Sequence, residues 1–242
     1  VGPDVSAFAD MYQQMNAQGV RAINHSWGFA FEPDTVELLD AYLTDPELAS
    51  YWKVIADGSR ARGLIQVWAA GNTDAATASP AESPFAGAHA TLPRAFADIE
   101  PYWLSVVNVD RELVLSNRSN KCGFSMNWCL AAPGSDIQST VYGGDQRTQG
   151  GAKTNPDGSI SLEVRTRLPA FEYAQYSGTS MAAPHVTGSL ALLIERFPYL
   201  NNAQVRDVLL TTTTDLGAPG VDDVYGWGLV NLEKAIDGPG QI

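Results

Sequence analysis

The chain has 242 residues, 45% of them hydrophobic and 17% charged, which fits a globular domain with a sizeable core and excludes a disordered chain. A formal net charge of −12, with 27 acidic against 15 basic residues, argues against a nucleic-acid partner, whose phosphate backbone a protein must neutralise. No stretch reaches the ~20 apolar residues of a membrane span, and no signal peptide precedes the first element.

Val5, Phe8, Met11, Tyr12 and Met15 fall on one helical face, with Asp4 as cap and Gly19 as terminator. Residues 20–23 follow as a short buried strand, and a helix closely followed by a strand is an α/β signature. Asn24-His25-Ser26-Trp27-Gly28 then lies at the carboxyl end of that strand, where ligands of parallel α/β sheets collect. Residues 34–43 and 45–62 read as one or two helices. Asp45-Pro46 supplies a cap followed by a proline at the first helical position, and Gly63 a terminator.

Residues 64–70 read as a buried parallel strand that runs into Gly71-Asn72. Residues 73–97, rich in Ala, Ser, Pro and Gly, read as a long surface loop. Residues 104–109 form another buried strand. Residues 138–176 carry many Gly, polar and β-branched residues and read as a hairpin or flap beside a cleft. Asn202 opens an amphipathic helix through Val205, Val208, Leu209 and Leu210, and residues 231–236 form a last helix. There is no internal repeat.

The stretch that organises the chain is Ser177-Gly178-Thr179-Ser180-Met181-Ala182-Ala183-Pro184-His185-Val186. Gly178 suits a positive φ at a tight turn. Ser180 opens an apolar run from Met181 to Phe197, with Pro184 near its start, where a missing N–H is tolerated. A serine at a helix N-terminus sits in a positive field beside unpaired N–H groups. That suits a nucleophile whose attack creates an oxyanion. Helix logic alone fits equally a serine that caps a core helix. The whole string from Gly178 to Val186 resembles the nucleophile motif of the subtilisin-like serine proteases, the subtilases, and a match of this length is highly specific.

The resemblance implies a three-layer α/β domain with a mostly parallel sheet flanked by helices. Residues 1–242 would be a single peptidase domain whose N-terminal part is missing. Ser180 would be the nucleophile, acting on polypeptide substrates. Ala69-Ala70-Gly71-Asn72 resembles the family's oxyanion motif, in which an Asn supplies an uncharged side-chain N–H. Alone, Gly71-Asn72 would read as a turn. The Asn24–Gly28 segment resembles the Asn-x-Ser-x-Gly wall of the primary specificity pocket. Ser26, Trp27 and Gly28 would then flank the substrate opposite Ala69, Ala70 and Gly71, beside Gly178 and Thr179.

Leu130-Ala131-Ala132-Pro133-Gly134-Ser135-Asp136-Ile137 resembles the segment that precedes the nucleophile helix. The stretch 215–230, with Gly226-Trp227-Gly228, looks most like bacterial autotransporter subtilases. That subgroup implies a protein secreted or held at the cell surface, on the extracellular side of an outer membrane. A disulfide between Cys122 and Cys129 fits an oxidising compartment, against two reduced thiols, and two cysteines with no nearby His cannot make a zinc site. No cofactor is required. Calcium sites are common in subtilases, but Asp136, Asp222 and Asp223 spell no loop of six to eight oxygens, and solvated carboxylates are the simpler reading.

A protease of this kind needs a base and an orienting group. Subtilases carry these in Asp-Ser/Thr-Gly and His-Gly-Thr-His motifs upstream of the serine, and neither motif is present. None of the three histidines substitutes. His185 lies five residues on, roughly 140° round the helix from Ser180, and reads as a packed helix residue. His25 lies inside the wall motif and reads as structural, and His89 reads as a surface residue.

The isolated chain is therefore expected to be a poor protease. A preceding segment or companion chain should carry the Asp and His and cover the strand edge at residues 20–23. The alternative from another class is a catalytically dead subtilase-like module that binds peptides, or a passenger fragment with no function of its own.

Overall fold

The computed structural model describes residues 5–29, 33, 35–73, 76–142, 152–154, 160–162 and 171–238. They fall into two compact units: Val1–Ser135 with Ser177–Ile242, and Asp136–Tyr176. The larger unit is built on four parallel strands, β1 (Ala22–His25), β2 (Ile65–Ala69), β3 (Trp103–Val109) and β4 (Cys129–Pro133), paired in chain order.

Successive strand residues point to opposite faces. Trp68, Trp103, Val107, Cys129 and Ala131 therefore join one core, against α1 (Ser6–Ala17), α2 (Val36–Leu43) and α3 (Ala49–Arg60). Ile65, Val67, Leu104, Val106, Leu130 and Ala132 join another, against α4 (Thr179–Arg196), α5 (Asn202–Thr211) and α6 (Leu232–Ile236). Helices on both faces of a parallel sheet give the three-layer α/β architecture expected from the sequence. Helix α4 touches all four strands.

Several boundaries differ from the sequence reading, each for a local reason. Strand β1 begins two residues late because Gly19 (φ 73°) and the Val20 N–H to Met15 O bond prolong the end of α1. Helix α3 begins at Ala49, not Asp45. The Asp45 carboxylate instead accepts from Glu47 N (2.8 Å), and the chain turns once before the helix starts. Thr35 caps α2 through Leu38 N. Asp4 and Asp34 lie outside the described residues.

Of the 73–97 segment read as a surface loop, residues 76–82 do lie largely at the surface, but residues 83–93 are packed into the protein. Ala86, Ala88, His89, Ala90, Thr91 and Leu92 are buried, and short 3-10 turns at Pro80–Glu82 and Leu92–Arg94 shape the segment. Small side chains there reflect close packing against Trp103 and Trp128, whose indole N–H groups donate to His89 O (3.0 Å) and Ala90 O (2.8 Å).

Cys122 and Cys129 are disulfide-bonded, with Cα atoms 5.8 Å apart, across a 3-10 turn at Gly123–Trp128. Both are fully buried. The Cys122→Ser/Cys129→Ser pair is expected to lower stability by about 2.5 kcal/mol, the chain entropy of so short a loop. Chemical denaturation checks this, and an unchanged midpoint would mean that the bond closes a loop already held by packing.

In the smaller unit, β5 (Ile137–Tyr142) pairs antiparallel with β8 (Phe171–Tyr176), and β6 (Ala152–Thr154) with β7 (Ile160–Leu162). The antiparallel ladders agree with the hairpin expected over 138–176. The connections between these strands lie outside the described residues.

Candidate active site

Helix α4 starts at a carboxyl-end crossroads of the sheet. Gly178, at φ 153°, precedes it, and its N–H bonds to Gly134 O just beyond β4 (2.8 Å). A Cβ on Gly178 would sit 3.2 Å from Asn72 Oδ1. The backbone thus favours glycine here, and a side chain would also press on Asn72. The helix then opens Thr179, Ser180, Met181, so Ser180 is its second residue.

The proline has a specific consequence. Pro184 has no N–H to give to the carbonyl four residues back, which is Ser180 O. That carbonyl instead accepts the Ser26 hydroxyl at 2.8 Å. Ser180 Oγ in turn donates to Ser26 O at 3.3 Å. The pair thus ties the segment after β1 to the first turn of α4. Asn24 extends the tie: Nδ2 donates to Ser26 Oγ (2.9 Å), and Oδ1 accepts from Thr187 Oγ1 (3.4 Å). Sequence reasoning did not single out Asn24, although its place in Asn-x-Ser-x-Gly was a signal.

Asn72 comes to the same turn from β2. Its Oδ1 accepts from Thr179 N (2.9 Å) and Thr179 Oγ1 (3.2 Å), and the Gly71 N–H reaches Thr179 Oγ1 (3.3 Å). A backbone N–H can only donate, so Oδ1 must face it. The amide orientation is thereby fixed and Nδ2 is left as a donor. The side chain is exposed, and neither Nδ2 nor the Ser180 N–H has a partner among the described residues. The backbone of Asn72 is held by a bridge to Ser119, and Thr73 N bonds to Arg118 O. Gly71 (φ 113°) leaves no room for a Cβ, which would lie 2.7 Å from Asn120 Nδ2.

The structure thus brings Ser26, Gly71, Asn72, Gly178, Thr179 and Ser180 together. Trp27 and Gly28 continue from Ser26 with exposed surfaces, whereas Ala70, at the end of β2, is buried. No histidine bonds to Ser180. His185 Nδ1 donates to Met181 O (2.9 Å), with no other hydrogen-bond partner among the described residues, and the ring is exposed, not packed. It shares an uncovered face of α4 with Pro184, Gly188, Ala191 and Leu192. His89, expected at the surface, is 3% exposed, because the small-residue segment that carries it is folded into the core. His25, 2% exposed, is structural as expected.

Burial away from any compensating charge pushes both His25 and His89 down to about 3. The unfolded chain, with ordinary histidines near 6.5, then binds two more protons than the folded one as pH falls. Their contribution to stability is present above pH 6.5 and is lost on descending toward pH 3, with a limiting slope of about 2.7 kcal/mol per pH unit for two protons. Denaturation midpoints at pH 7, 6 and 5, above the main carboxylate range, should fall progressively. A flat profile there would show that these rings are not neutral and buried.

Two carboxylates weighed as calcium ligands are occupied otherwise. Asp222 accepts the backbone N–H groups of Ala218, Val224 and Tyr225 (2.7–2.8 Å), and Asp223 pairs with Lys121 (3.0 Å). Asp222 is thus engaged by its own loop, whereas Asp223 is a surface carboxylate, as expected, with a lysine partner. Among the described residues, no three His, Cys, Asp or Glu side chains converge as metal ligands. No helix among them is long and apolar enough to cross a membrane.

Comparison with known proteins places the chain in a family. Residues 4–228 match the family described as Peptidase_S8, the subtilase family. The chain is 38% identical over 225 residues to "Serotype-specific antigen 1" of Mannheimia haemolytica, covering 92% of the chain and 21% of that protein. It is 44% identical over 155 residues to an "Extracellular serine protease" of Serratia marcescens, covering 63% of the chain and 14% of that protein. At 28% identity it aligns with the "Neisserial autotransporter lipoprotein NalP" of Neisseria meningitidis, covering 97% of the chain and 22% of that protein. The chain thus spans about a fifth or less of the length of these relatives. Among solved structures, MycP3 protease from the type VII (ESX-3) secretion system overlays with a TM-score of 0.60 at 22% identity, covering 96% of the chain and 58% of that one. That overlay supports the subtilisin-like α/β fold.

Proposed function

The chain belongs to the subtilase family, and on that premise we propose that residues 1–242 are the serine-bearing part of a secreted endopeptidase that cleaves polypeptides through an acyl-enzyme. The observation that carries the reading is the lock between Asn72 Oδ1 and the first turn of α4, at 2.9 Å from Thr179 N. It sets a free side-chain amide donor next to the free N–H of a serine at a helix N-terminus, the two donors an oxyanion needs.

In this reading Ser180 Oγ attacks the scissile carbonyl carbon as its proton passes to a base. Asn72 Nδ2 and the Ser180 N–H hold the resulting oxyanion. The tetrahedral carbon then expels the amine, leaving the acyl group on Oγ, and water completes the cycle by the same path. Ser26, Trp27 and Gly28 line one side of the bound peptide, and Ala69 and Gly71 the other with Ala70 buried behind them, while Gly178 and Thr179 hold Asn72 in place.

The base and its orienting carboxylate come from polypeptide outside these residues, either another segment of the same parent or a companion chain. Two features support this. Ser180 has no histidine partner, and among the described residues the edge of β1 is unpaired and the α4 face at Pro184, His185, Gly188, Ala191 and Leu192 is uncovered. The extracellular side of a bacterial outer membrane is the proposed location, from the likeness to autotransporter and extracellular relatives.

The test compares the full-length parent with the isolated 242-residue chain on an unstructured protein substrate. The parent should cleave it and the isolated chain should not. A parent that binds peptides without cleaving them would favour the catalytically dead peptide-binding module, the reading that the unpartnered Ser180 would then support.

A further inference from the structure

Under the proposed substrate walls lies a buried stack of rings that the chemistry above does not use. His25 and Trp68 are cross-strand partners, and theirs is the last pair of the β1–β2 ladder. The rings stack at 3.9 Å with 14° between planes. The very next residues are Ser26 on one strand and Ala69 on the other, where the two walls begin. Nothing in the ladder beyond this pair holds the walls together.

His89 enters from the segment that follows Asn72. It stacks on the same indole at 4.7 Å and 25°, and meets Trp27 edge-on at 5.1 Å. A Cβ on Gly28 would lie 3.7 Å from His89 Nδ1, so the ring backs the wall directly. On its far side His89 Nε2 is bonded to the Tyr51 hydroxyl of α3 at 2.7 Å. Burial raises the Tyr51 pKa, so this phenol keeps its proton. The ring is thus pinned between a helix and the wall.

The polar content of this stack is costly. His25 Nε2 and Trp68 Nε1 are buried without hydrogen-bond partners among the described residues. A site selected for stability alone would replace such rings by apolar side chains of similar volume. Flat, rigid rings instead offer a fixed plane on which the two backbones can rest where their ladder ends.

We propose that His25 and His89 are positioning residues, which act through Trp68 to hold the 26–28 and 69–71 segments at the spacing an extended peptide substrate requires. The inference rests on the reading of those segments as substrate walls. The rings touch neither the reacting atoms nor Ser180, so their effect should appear in peptide binding and not in the chemistry.

The test uses the full-length parent protein and two substitutions at each position. His25→Leu fills the volume but removes the flat ring, and His25→Phe keeps a flat ring. For an extended peptide substrate, His25→Leu should raise KM about tenfold with kcat changed less than about twofold, the signature of lost uniform binding. The rate at which a small fluorophosphonate modifies Ser180 should stay at the parent value, because that reagent does not span the walls. His25→Phe should restore KM to within about twofold of the parent. His89→Leu should behave as His25→Leu, and His89→Phe should recover most of the effect.

An unchanged KM in both leucine variants overturns the proposal. So does a parallel fall in kcat and labelling, or a failure of phenylalanine to rescue. If both leucine variants fail to fold by circular dichroism, the rings support the whole domain, and the specific role is likewise overturned. A second readout is independent of catalysis: the Kd of a product peptide ending at the scissile position, measured by calorimetry. If the parent neither cleaves nor labels, the protease reading falls. A tenfold weaker Kd in His25→Leu, rescued in His25→Phe, would still sustain the wall-positioning role.

Discussion

Replacing Ser180 by alanine in the full-length parent should abolish peptide hydrolysis, with a loss of at least about 10⁴-fold in kcat, while leaving the fold intact. The size follows from the division of labour at the site. Without Oγ there is no nucleophile, and only the oxyanion donors and the walls remain to assist attack by water. The fold should survive because the hydroxyl makes one hydrogen bond, to Ser26 O at 3.3 Å, at a partly exposed position. Alanine is the best helix former, and the structurally important bond at this residue is to its carbonyl, which remains. The denaturation midpoint should stay within about 0.5 kcal/mol of the parent. Activity retained within tenfold would show that another group attacks the substrate.

The second large effect is expected at Asn72. Its two ends have separate duties: Oδ1 builds the site by accepting from Thr179, and Nδ2 is the donor left for substrate. Asn72→Asp keeps the acceptor and removes the donor, and it puts negative charge where the oxyanion would form. We expect kcat to fall by about 10²–10³-fold with KM little changed, since the donor is used in the transition state. Stability should not fall, because a carboxylate next to the first turn of a helix is favourably placed. Asn72→Leu should lose activity similarly but also about 1 kcal/mol of stability, because Thr179 N then lacks its partner. An Asn72→Asp enzyme with parental kcat would remove Asn72 from the chemistry.

The fold and the site differ in how much of each could be read from the residues. The parallel strands were legible because β2 and β3 are short, mainly apolar runs, interrupted by Gln66 in one and by Ser105 and Asn108 in the other, as suits a sheet covered on both faces. The string around Ser180 and the pair Gly71-Asn72 were legible because their chemistry dictates residue type and place. What linked them was not. Nothing in the chain order states that Ser26 will take the carbonyl freed by Pro184, since that needs two segments 154 residues apart to meet.

Residues 73–97 misled for a related reason. Small residues are common in loops, but they are also what fits between tryptophans, and composition alone does not separate the two. His89 was misplaced with that segment, and with it the stack on Trp68. The histidine on α4 was misplaced in the other direction. An apolar helix pattern signals burial, yet the Pro184, His185, Leu192 face is exposed among the described residues, and the pattern alone does not say which turn of the helix is covered.

The central claim is that Ser180 is an activated nucleophile in the complete protein. The most direct measurement is labelling of the folded full-length parent with a fluorophosphonate, with the modified peptide identified by mass spectrometry. The account predicts a single adduct on Ser180, formed faster as pH rises through the titration of the base, and absent from the isolated 242-residue chain. A folded parent that stays unlabelled, or is labelled at another serine, would contradict it.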